Sequence, residues 1–435
     1  MVQLASLQSP AELGGAAGQH VRRGDMICGL EFSLDGQMLA TAGVSKQVAL
    51  YALAALTQQQ QQQQPQPDWP GSTCSGSRHK QEQDSLPSLP PVALVRLPGK
   101  VSSIAWSPDM DGVMSIGDYD GTLTQVHVAS GHYLTEVDAH CGRRIWSVAH
   151  SRLRPHLAAT ASDDCSAKLW AGSAFDSPVT TITLPGAPAV CCADFSQHDA
   201  NLLALAAADA RVYLYDLRQL AQPLAVLRGH SRPVSYAKFF GAQQLVSASI
   251  DGTLAAWDLV PALGQAVSSS SSSSIGQSSS SSTSMWPGTS SSWQGPAQAQ
   301  QQQVQQQLSQ PWKVFKGHTN AKNFVGLAVH PCAGLMAVGS ETGEVFAYHT
   351  SWSDPLARHR LDAAPAHGVQ QLAQPAAVAW SRQLQQRSAC AVAWQPSVPG
   401  CSSSGGGGAG SFGPSALLAA ANSAGECKLL ALVDP

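Results

Sequence analysis

Apolar and polar residues alternate with a period of two in short runs along most of the chain. This alternation is typical of β-strands that bury one face. Seven runs can be aligned on one buried position, which is occupied by Leu30, Ile104, Val148, Ala193, Ala237, Leu327 and Val392. A sheet with such an apolar face must stack on another sheet, so we expect several sheets packed face to face.

These runs belong to a longer repeat. Four segments share one order of elements: an alternating strand, a small-residue strand that ends in an acidic turn, and a further strand. The turn acids, which stand 44, 45 and 42 residues apart, are Asp120, Asp164, Asp209 and Asp251. Gly-His precedes the first strand in "RGHSRPVS" and "KGHTNAKN", and Trp-Asp ends the last strand in "LAAWDL". The period and the motifs resemble the WD-repeat family, whose four-stranded repeats form the blades of a propeller.

Three degenerate copies raise the number of blades to seven. They are "MICGLEFSLDGQMLATAGVSKQVALYAL", "NFVGLAVHPCAGLMAVGSETGEVFAYHT", and a last copy divided between "ACAVAWQP" and "LLAAANSAGECKLLALV". We therefore predict an all-β, seven-bladed WD-repeat propeller over residues 24–435. Residues 1–23 form an N-terminal segment, and "MVQLASL" is the candidate for a ring-closing strand. The resemblance implies that pairs such as His230 with Asp251 are structural rather than catalytic.

Four stretches interrupt the repeats. Residues 57–92 are rich in Gln, 260–310 in Ser and Gln, 362–386 in Ala and Gln, and 397–414 in Ser and Gly. Such compositions bury too little apolar surface to offset the entropy of ordering, so we predict disordered insertions. Roughly 300 residues remain, which is enough for seven blades.

Composition and motifs exclude several classes of function. The formal net charge is −3 and charged residues make up 12% of the chain, which argues against direct nucleic-acid binding. The ten cysteines contain no Cys-x-x-Cys spacing, so we expect reduced thiols and no metal site. No apolar run approaches the length of a membrane span. Phosphate-binding glycine loops and hydrolase motifs are absent from the sequence, so we predict neither a cofactor nor an enzyme.

The stretch "RRIWSV" places Trp146 at the start of the alternating strand in the third repeat. The other six repeats carry smaller residues at the aligned position, namely Cys28, Ser102, Cys191, Ser235, Val325 and Cys390. In a propeller this position lies on the top face, around the mouth of the central channel. We therefore expect the indole of Trp146 to project at that mouth.

Basic and aromatic residues accompany this tryptophan in other repeats. The basic residues that precede the aligned strands are Lys100, Arg143, Arg144, Arg232 and Lys322, and the added aromatic residues are Tyr119 and Phe324. An aromatic floor inside a cationic rim suits a short peptide with an apolar anchor and acidic flanks. The alternative is that Trp146 merely fills a wide channel while the charges are solvated.

Several motifs resemble one branch of the WD-repeat family. "RRIWSV", "GSETGEVFAYH", "SDDCSAKLW" and "YDLRQLAQPL" are similar to the C-terminal WD-repeat domain of the constitutively photomorphogenic ubiquitin ligase and its suppressor-of-phytochrome-A relatives. The resemblance runs from about residue 24 to the C-terminus outside the insertions. It implies a nuclear protein, with the cytoplasm as an alternative, that binds Val-Pro motifs of transcription factors and photoreceptors. The implied peptide-binding residues are Lys100, Tyr119, Arg144, Trp146, Arg232 and Phe324, with Lys322 beside them.

Two further expectations follow from the resemblance. Ala321 stands where the family typically carries Glu, which predicts a preference for more acidic peptides. "YDLR" resembles the motif with which WD-repeat receptors dock on the cullin-4 adaptor, and it assigns this role to Asp216 and Arg218. The alternative for "YDLR" is an ordinary blade end with a surface arginine.

The chain contains neither the Cys and His clusters of a RING module nor a sustained heptad pattern. If Met1 is the true start, we expect the chain to select substrates for ligase partner subunits and not to recruit the conjugating enzyme itself. Whether it is the ligase or its suppressor-type partner stays open. The alternative function is a scaffold propeller without a peptide pocket.

Overall fold

The computed structural model describes residues 1–7, 26–55, 88–263, 308, 310–322, 325–330, 334–361, 388–396 and 416–432. These residues form seven sheets, and the predicted seven-bladed propeller is thereby confirmed. Among the described residues, no helix has both the length and the apolar character needed to cross a membrane.

Six blades are meanders of four strands that begin at the central channel. The strands of blades one to three are β2 Ile27–Phe32, β3 Met38–Gly43, β4 Gln47–Ala52 and β6 Ala93–Arg96; β7 Val101–Trp106, β8 Val113–Asp118, β9 Thr122–His127 and β10 His132–Asp138; and β11 Ile145–His150, β12 Leu157–Ser162, β13 Ser166–Ala171 and β14 Thr180–Thr183. The strands of blades four to six are β15 Val190–Phe195, β16 Leu202–Ala207, β17 Arg211–Asp216 and β18 Ala225–Arg228; β19 Val234–Phe239, β20 Gln244–Ser249, β21 Leu254–Asp258 and β22 Lys313–Phe315; and β23 Leu327–Val329, β24 Leu335–Gly339, β25 Glu344–His349 and β26 Ala357–Arg360.

Blade seven is built from both ends of the chain. Its first three strands are β27 Ala389–Trp394, β28 Ala416–Asn422 and β29 Cys427–Leu432, and two more come from β1 Val2–Leu7 and β5 Ser88–Leu89. Strand β1 pairs antiparallel with β29, and β5 adds to the far edge of β1 in parallel. The N-terminal strand therefore closes the ring through main-chain hydrogen bonds.

The ends of two insertions are ordered, contrary to the prediction of disorder over 57–92 and 260–310. Leu89 is 1% exposed within β5, and Ala262 and Leu308 are buried in the core between blades four and five. These few apolar side chains gain enough from burial to fix the adjoining backbone. Residues 57–87, 264–307, 362–386 and 397–414 lie outside the described residues.

Apolar side chains of the innermost strands fill the space between neighbouring blades. All seven residues of the aligned buried position are at most 9% exposed, which confirms the predicted apolar face: Leu30, Ile104, Val148, Ala193, Ala237, Leu327 and Val392. Each blade thus covers the face of the next, and the ring leaves no blade without a partner.

Polar networks fix the outer part of two blades. In blade five, His230 contacts the Asp251 carboxylate at 3.1 Å and the Ser247 hydroxyl at 2.8 Å, and the Trp257 indole donates to the same hydroxyl at 2.8 Å. Blade three repeats this arrangement with His140, Asp164, Thr160 and Trp170. The structural role predicted for His230 and Asp251 is confirmed.

The turn between the second and third strands of blade two has different hydrogen bonds. Asp120 is exposed, and the Asp118 carboxylate accepts the amides of Asp120 and Thr122 at 2.9 and 2.7 Å. The sequence gives blade two no loop histidine to partner Asp120, because "LPGKV" replaces the Gly-His motif. Asp120 therefore does not pair with a loop histidine as Asp164 and Asp251 do.

The network around Asp251 predicts a pH-dependent contribution to stability. Burial alone would raise the pKa of Asp251, but hydrogen bonds from His230 and Thr253 outweigh it and lower this pKa below its usual range. A lowered carboxyl pKa stabilises the fold above the unfolded pKa of about 3.9, and this stabilisation is lost as the pH falls towards the folded pKa.

We therefore expect Asp251→Ala to lower the free energy of unfolding by about 3 kcal/mol at pH 7, measured by urea denaturation. The difference from wild type should shrink as the pH falls below about 4. Asp120→Ala is the matched control, because it removes an exposed turn acid, and should change stability by less than about 0.5 kcal/mol. Equal effects of the two variants would contradict the network.

Candidate functional site

Three equivalent positions in each blade surround the mouth of the channel. The lead position is the residue before the innermost strand, the bulge position is the second residue of that strand, and the turn position is the first residue of the turn between the second and third strands.

Six innermost strands shift register between their first and third residues. The residue between them belongs to a β-bulge, which redirects its side chain. The bulge residues are Cys28, Ser102, Trp146, Cys191, Ser235 and Cys390.

A main-chain hydrogen bond ties the turn position to the lead position. The amide of Tyr119 donates to the carbonyl of Lys100 at 2.9 Å, and that of Asp163 donates to the carbonyl of Arg144 at 3.1 Å. Blade five has the same bond between Ile250 and its lead residue. Side chains from two separate segments of a blade are therefore brought together at the mouth.

Blades two and three combine their side chains into one stack. The guanidinium carbon of Arg144 lies 3.8 Å from the ring centroid of Tyr119 and 3.7 Å from that of Trp146. Both contacts are within the range of a cation–π interaction. We call these three residues the Arg144 stack. The Nε atom of Arg144 is buried and has no hydrogen-bond partner within the described part of the chain.

Close packing between the two blades sets the spacing of the stack. Gly117 at the end of β8 faces Ile145 at the start of β11, and a Cβ atom at Gly117 would lie 2.6 Å from Ile145 Cγ2. Any larger residue would push the blades apart next to the Arg144 stack. Ser102 also links the blades, because its hydroxyl donates to the Ile145 carbonyl.

Each end of the stack has a polar contact. The indole nitrogen of Trp146 donates to the carboxylate of Asp163, and the hydroxyl of Tyr119 lies 3.6 Å from the sulfur of Cys28. Burial raises the pKa of Tyr119 to about 12, and the neighbouring Cys28 adds to this effect. Burial likewise raises the pKa of the Cys28 thiol. Both groups are therefore neutral at physiological pH.

Three other predicted peptide-binding residues lie around the same mouth but outside the stack. Lys100, Arg232 and Lys322 are exposed. Arg232 donates to the carbonyls of Ile250 and Ala321 at 3.3 and 3.0 Å, which joins blade five to the loop of blade six. Phe324 lies outside the described residues.

A second carboxylate stands beside Ala321. The amide of Lys322 donates to the carboxylate of Glu341 at 2.7 Å, and Glu341 occupies the turn position of blade six. The rim of this blade therefore retains an acidic group although residue 321 is Ala. This group opposes the predicted preference for more acidic peptides.

Sequence reasoning missed Asp163 and Cys28 as members of the site. Asp163 directly precedes the turn acid Asp164, and the repeat pattern drew attention to Asp164 alone. Asp163 could have been found from its alignment with Tyr119, because both residues occupy the turn position of their blades.

Below the mouth, the channel encloses a cavity of about 280 Å³ whose lining includes Trp146 and several charged side chains. Glu31 accepts the amide of Trp106 at 3.1 Å, and burial raises its pKa to about 7. Asp194 likewise accepts the amide of Phe239 at 2.9 Å and pairs with Lys238 at 2.8 Å. These carboxylates link innermost strands of different blades, so we interpret them as structural.

The predicted adaptor-docking residues form a surface ion pair after β17. The guanidinium of Arg218 contacts both carboxylate oxygens of Asp216, with Nε at 2.9 and 3.1 Å. The side chain of Arg218 is 63% exposed. This pair lies at the opposite end of its blade from the channel mouth that carries the Arg144 stack.

Comparison with known proteins agrees with the fold. The family model described as WD domain, G-beta repeat matches residues 131–171 and 221–258. Each match begins near the outermost strand of one blade and ends at the last residue of the third strand of the next. The sequence repeat therefore straddles two blades and links them covalently. Fold and repeats together define a WD-repeat β-propeller.

Three Arabidopsis thaliana proteins show which WD-repeat proteins the chain resembles. WD repeat-containing protein RUP1 is 29% identical over 76% of this chain and 69% of its own length. Protein SPA1-RELATED 3 is 30% identical over 78% of this chain, and E3 ubiquitin-protein ligase COP1 is 27% identical over 78%. The aligned region spans 32% and 40% of those two proteins. The propeller of this chain is therefore similar to the WD-repeat regions of the COP1 and SPA proteins.

The Arg144 stack predicts different roles for two adjacent arginines. Arg143 is exposed, whereas Arg144 lies against two rings. We expect Arg144→Ala to lower the free energy of unfolding by about 1 kcal/mol, because it removes two cation–π contacts. Arg143→Ala is the matched control and should be neutral within about 0.5 kcal/mol in the same urea denaturation. A neutral Arg144→Ala would argue against the stack.

Proposed function

We propose that this propeller is a substrate receptor that binds Val-Pro peptides with acidic flanks for a ubiquitin ligase complex of light signalling. The observation that carries this proposal is the Arg144 stack at the channel mouth, where two aromatic rings and a guanidinium form one surface. The expected ligands are segments of transcription factors and photoreceptors, and the expected site of action is the nucleus.

The stack suits both parts of such a peptide. Aromatic rings offer apolar contact area to the Val-Pro pair with little loss of side-chain entropy. A guanidinium that stacks by its face keeps terminal N–H groups at its edge for a carboxylate. The exposed Lys100, Arg232 and Lys322 extend the positive charge around the mouth. Acidic flanks would meet these side chains, which favours association and orientation of the peptide.

The relatives support the ligase context. One is named as an E3 ubiquitin-protein ligase, and another is named Protein SUPPRESSOR OF PHYA-105 1. This chain aligns with 40% and 27% of their lengths, through the WD-repeat region described above. Its proposed task is therefore substrate selection, while partner subunits supply the transfer of ubiquitin. We infer a receptor rather than an enzyme.

Fluorescence polarisation with an acidic Val-Pro peptide tests the proposal. We expect micromolar binding by the wild-type chain and at least tenfold weaker binding by Trp146→Ser, which installs the residue type found at the bulge position of blades two and five. A peptide with Ala-Ala in place of Val-Pro is the ligand control and should not bind. Circular dichroism should show that both chains are folded.

The alternative is a scaffold propeller that has no peptide pocket. A scaffold should tolerate Trp146→Ser and should bind neither peptide. Failure of the folded wild-type chain to bind the acidic Val-Pro peptide would therefore reject the receptor and leave the scaffold.

We also propose that Asp216 and Arg218 dock on the cullin-4 adaptor. The exposed guanidinium at the face opposite the peptide site would allow substrate and adaptor to bind together. We expect Arg218→Ala to reduce recovery of the adaptor in a pull-down at least fivefold. Arg211→Ala is the matched control, because Arg211 lies at the other end of the same strand and pairs with Asp209. Equal recovery with both variants would reject docking through Arg218.

A further inference from the structure

The side chain of Trp146 is attached to a β-bulge, where the regular alternation of the strand does not fix its direction. A large side chain at such a position needs another contact to hold it in one orientation. The indole nitrogen has that contact in the carboxylate of Asp163. Asp163 also donates its amide to the carbonyl of Arg144 at 3.1 Å. One residue thus bonds to two members of the Arg144 stack.

The turn that carries Asp163 is itself rigidly supported. The next residue, Asp164, accepts from the ring nitrogen of His140 at 2.7 Å and from the amide of Ser166 at 2.9 Å. His140 is fully buried, and its other ring nitrogen contacts Thr160 at 2.7 Å. Hydrogen bonds therefore anchor Asp164 in the core of blade three, and the peptide bond to Asp163 connects this anchored residue to the partner of the Trp146 indole.

We propose that Asp163 is a positioning residue that holds Trp146 in its peptide-binding orientation; this inference rests on the proposed function of the stack. With the indole fixed beforehand, the peptide does not have to order it on binding, and preorganisation of this kind increases affinity. The indole N–H is already bonded, so the ligand meets Trp146 through the ring surface alone. This matches an apolar anchor, which has no polar group to offer the indole nitrogen.

Electrostatics alone predicts the opposite effect of Asp163. Its carboxylate is a negative charge at a mouth that would receive acidic peptides, and like charges repel. If charge were its main influence, any removal of that carboxylate should tighten binding. If positioning is its main influence, loss of the hydrogen-bond acceptor should weaken binding even though a repulsive charge disappears. The sign of the change in affinity therefore separates the two roles.

Affinity measurements on three variants provide the first test. Asp163→Ala removes charge and acceptor, and we expect five- to tenfold weaker binding of the acidic Val-Pro peptide, as for loss of one hydrogen bond. Asp163→Asn removes the charge but retains a carbonyl acceptor, and should bind at least as tightly as wild type. Asp120→Ala removes an exposed acid from the neighbouring turn and should not weaken binding. Unchanged or tighter binding by Asp163→Ala would overturn the proposal.

A second readout does not depend on the peptide. In protein labelled with 5-fluorotryptophan, the ¹⁹F resonance of Trp146 can be identified by its loss in Trp146→Phe. We expect one sharp resonance in wild type and Asp163→Asn, and a shifted or broadened resonance in Asp163→Ala. An unchanged resonance in Asp163→Ala would overturn the positioning role. A changed resonance together with no peptide binding by wild type would reject the proposed function while retaining the effect of Asp163 on Trp146.

Discussion

The structure depends on closing seven sheets into a ring. Each innermost strand presents an apolar side chain that is buried only because the next blade covers it, so no blade could remain folded with a face open to water. The chain meets this requirement in two ways. The N-terminal strand β1 pairs with β29 in the last blade, and each matched sequence repeat crosses from one blade to the next. The ring therefore holds its blades in fixed relative positions.

Fixed blades allow a site to be assembled from residues that are far apart in sequence. The lead, bulge and turn positions recur around the ring, because the same hydrogen bonds and the same bulge recur in most blades. The candidate site arises where the repetition is broken. Trp146 replaces a small bulge residue, Tyr119 and Asp163 occupy neighbouring turns, and Arg144 lies against both rings. The scaffold is nearly symmetric, whereas the chemistry at its mouth is confined to a few blades.

Features with a periodic signal could be predicted from the sequence. The number of blades, the buried position of each innermost strand and the pairing of His230 with Asp251 all follow from residues that recur at a fixed spacing. Trp146 was recognisable because six other repeats supply the comparison. Features that depend on three-dimensional register were not predictable. The bulge and the bond from Trp146 to Asp163 depend on strand register within blade three, and the contact of Arg144 with Tyr119 also requires blade two beside it. The ordered end of the first insertion buries a single side chain, Leu89, which gives no periodic signal.

Photo-cross-linking tests the central claim most directly, because it locates the peptide on the folded chain. An acidic Val-Pro peptide with a diazirine on the residue next to Val would be irradiated with the wild-type protein, and the modified residues would be identified by mass spectrometry. The account predicts labels on the segments that carry the Arg144 stack, between residues 117–121 and 142–147. Labels confined to the opposite face or to the outer strands would contradict a peptide site at the channel mouth.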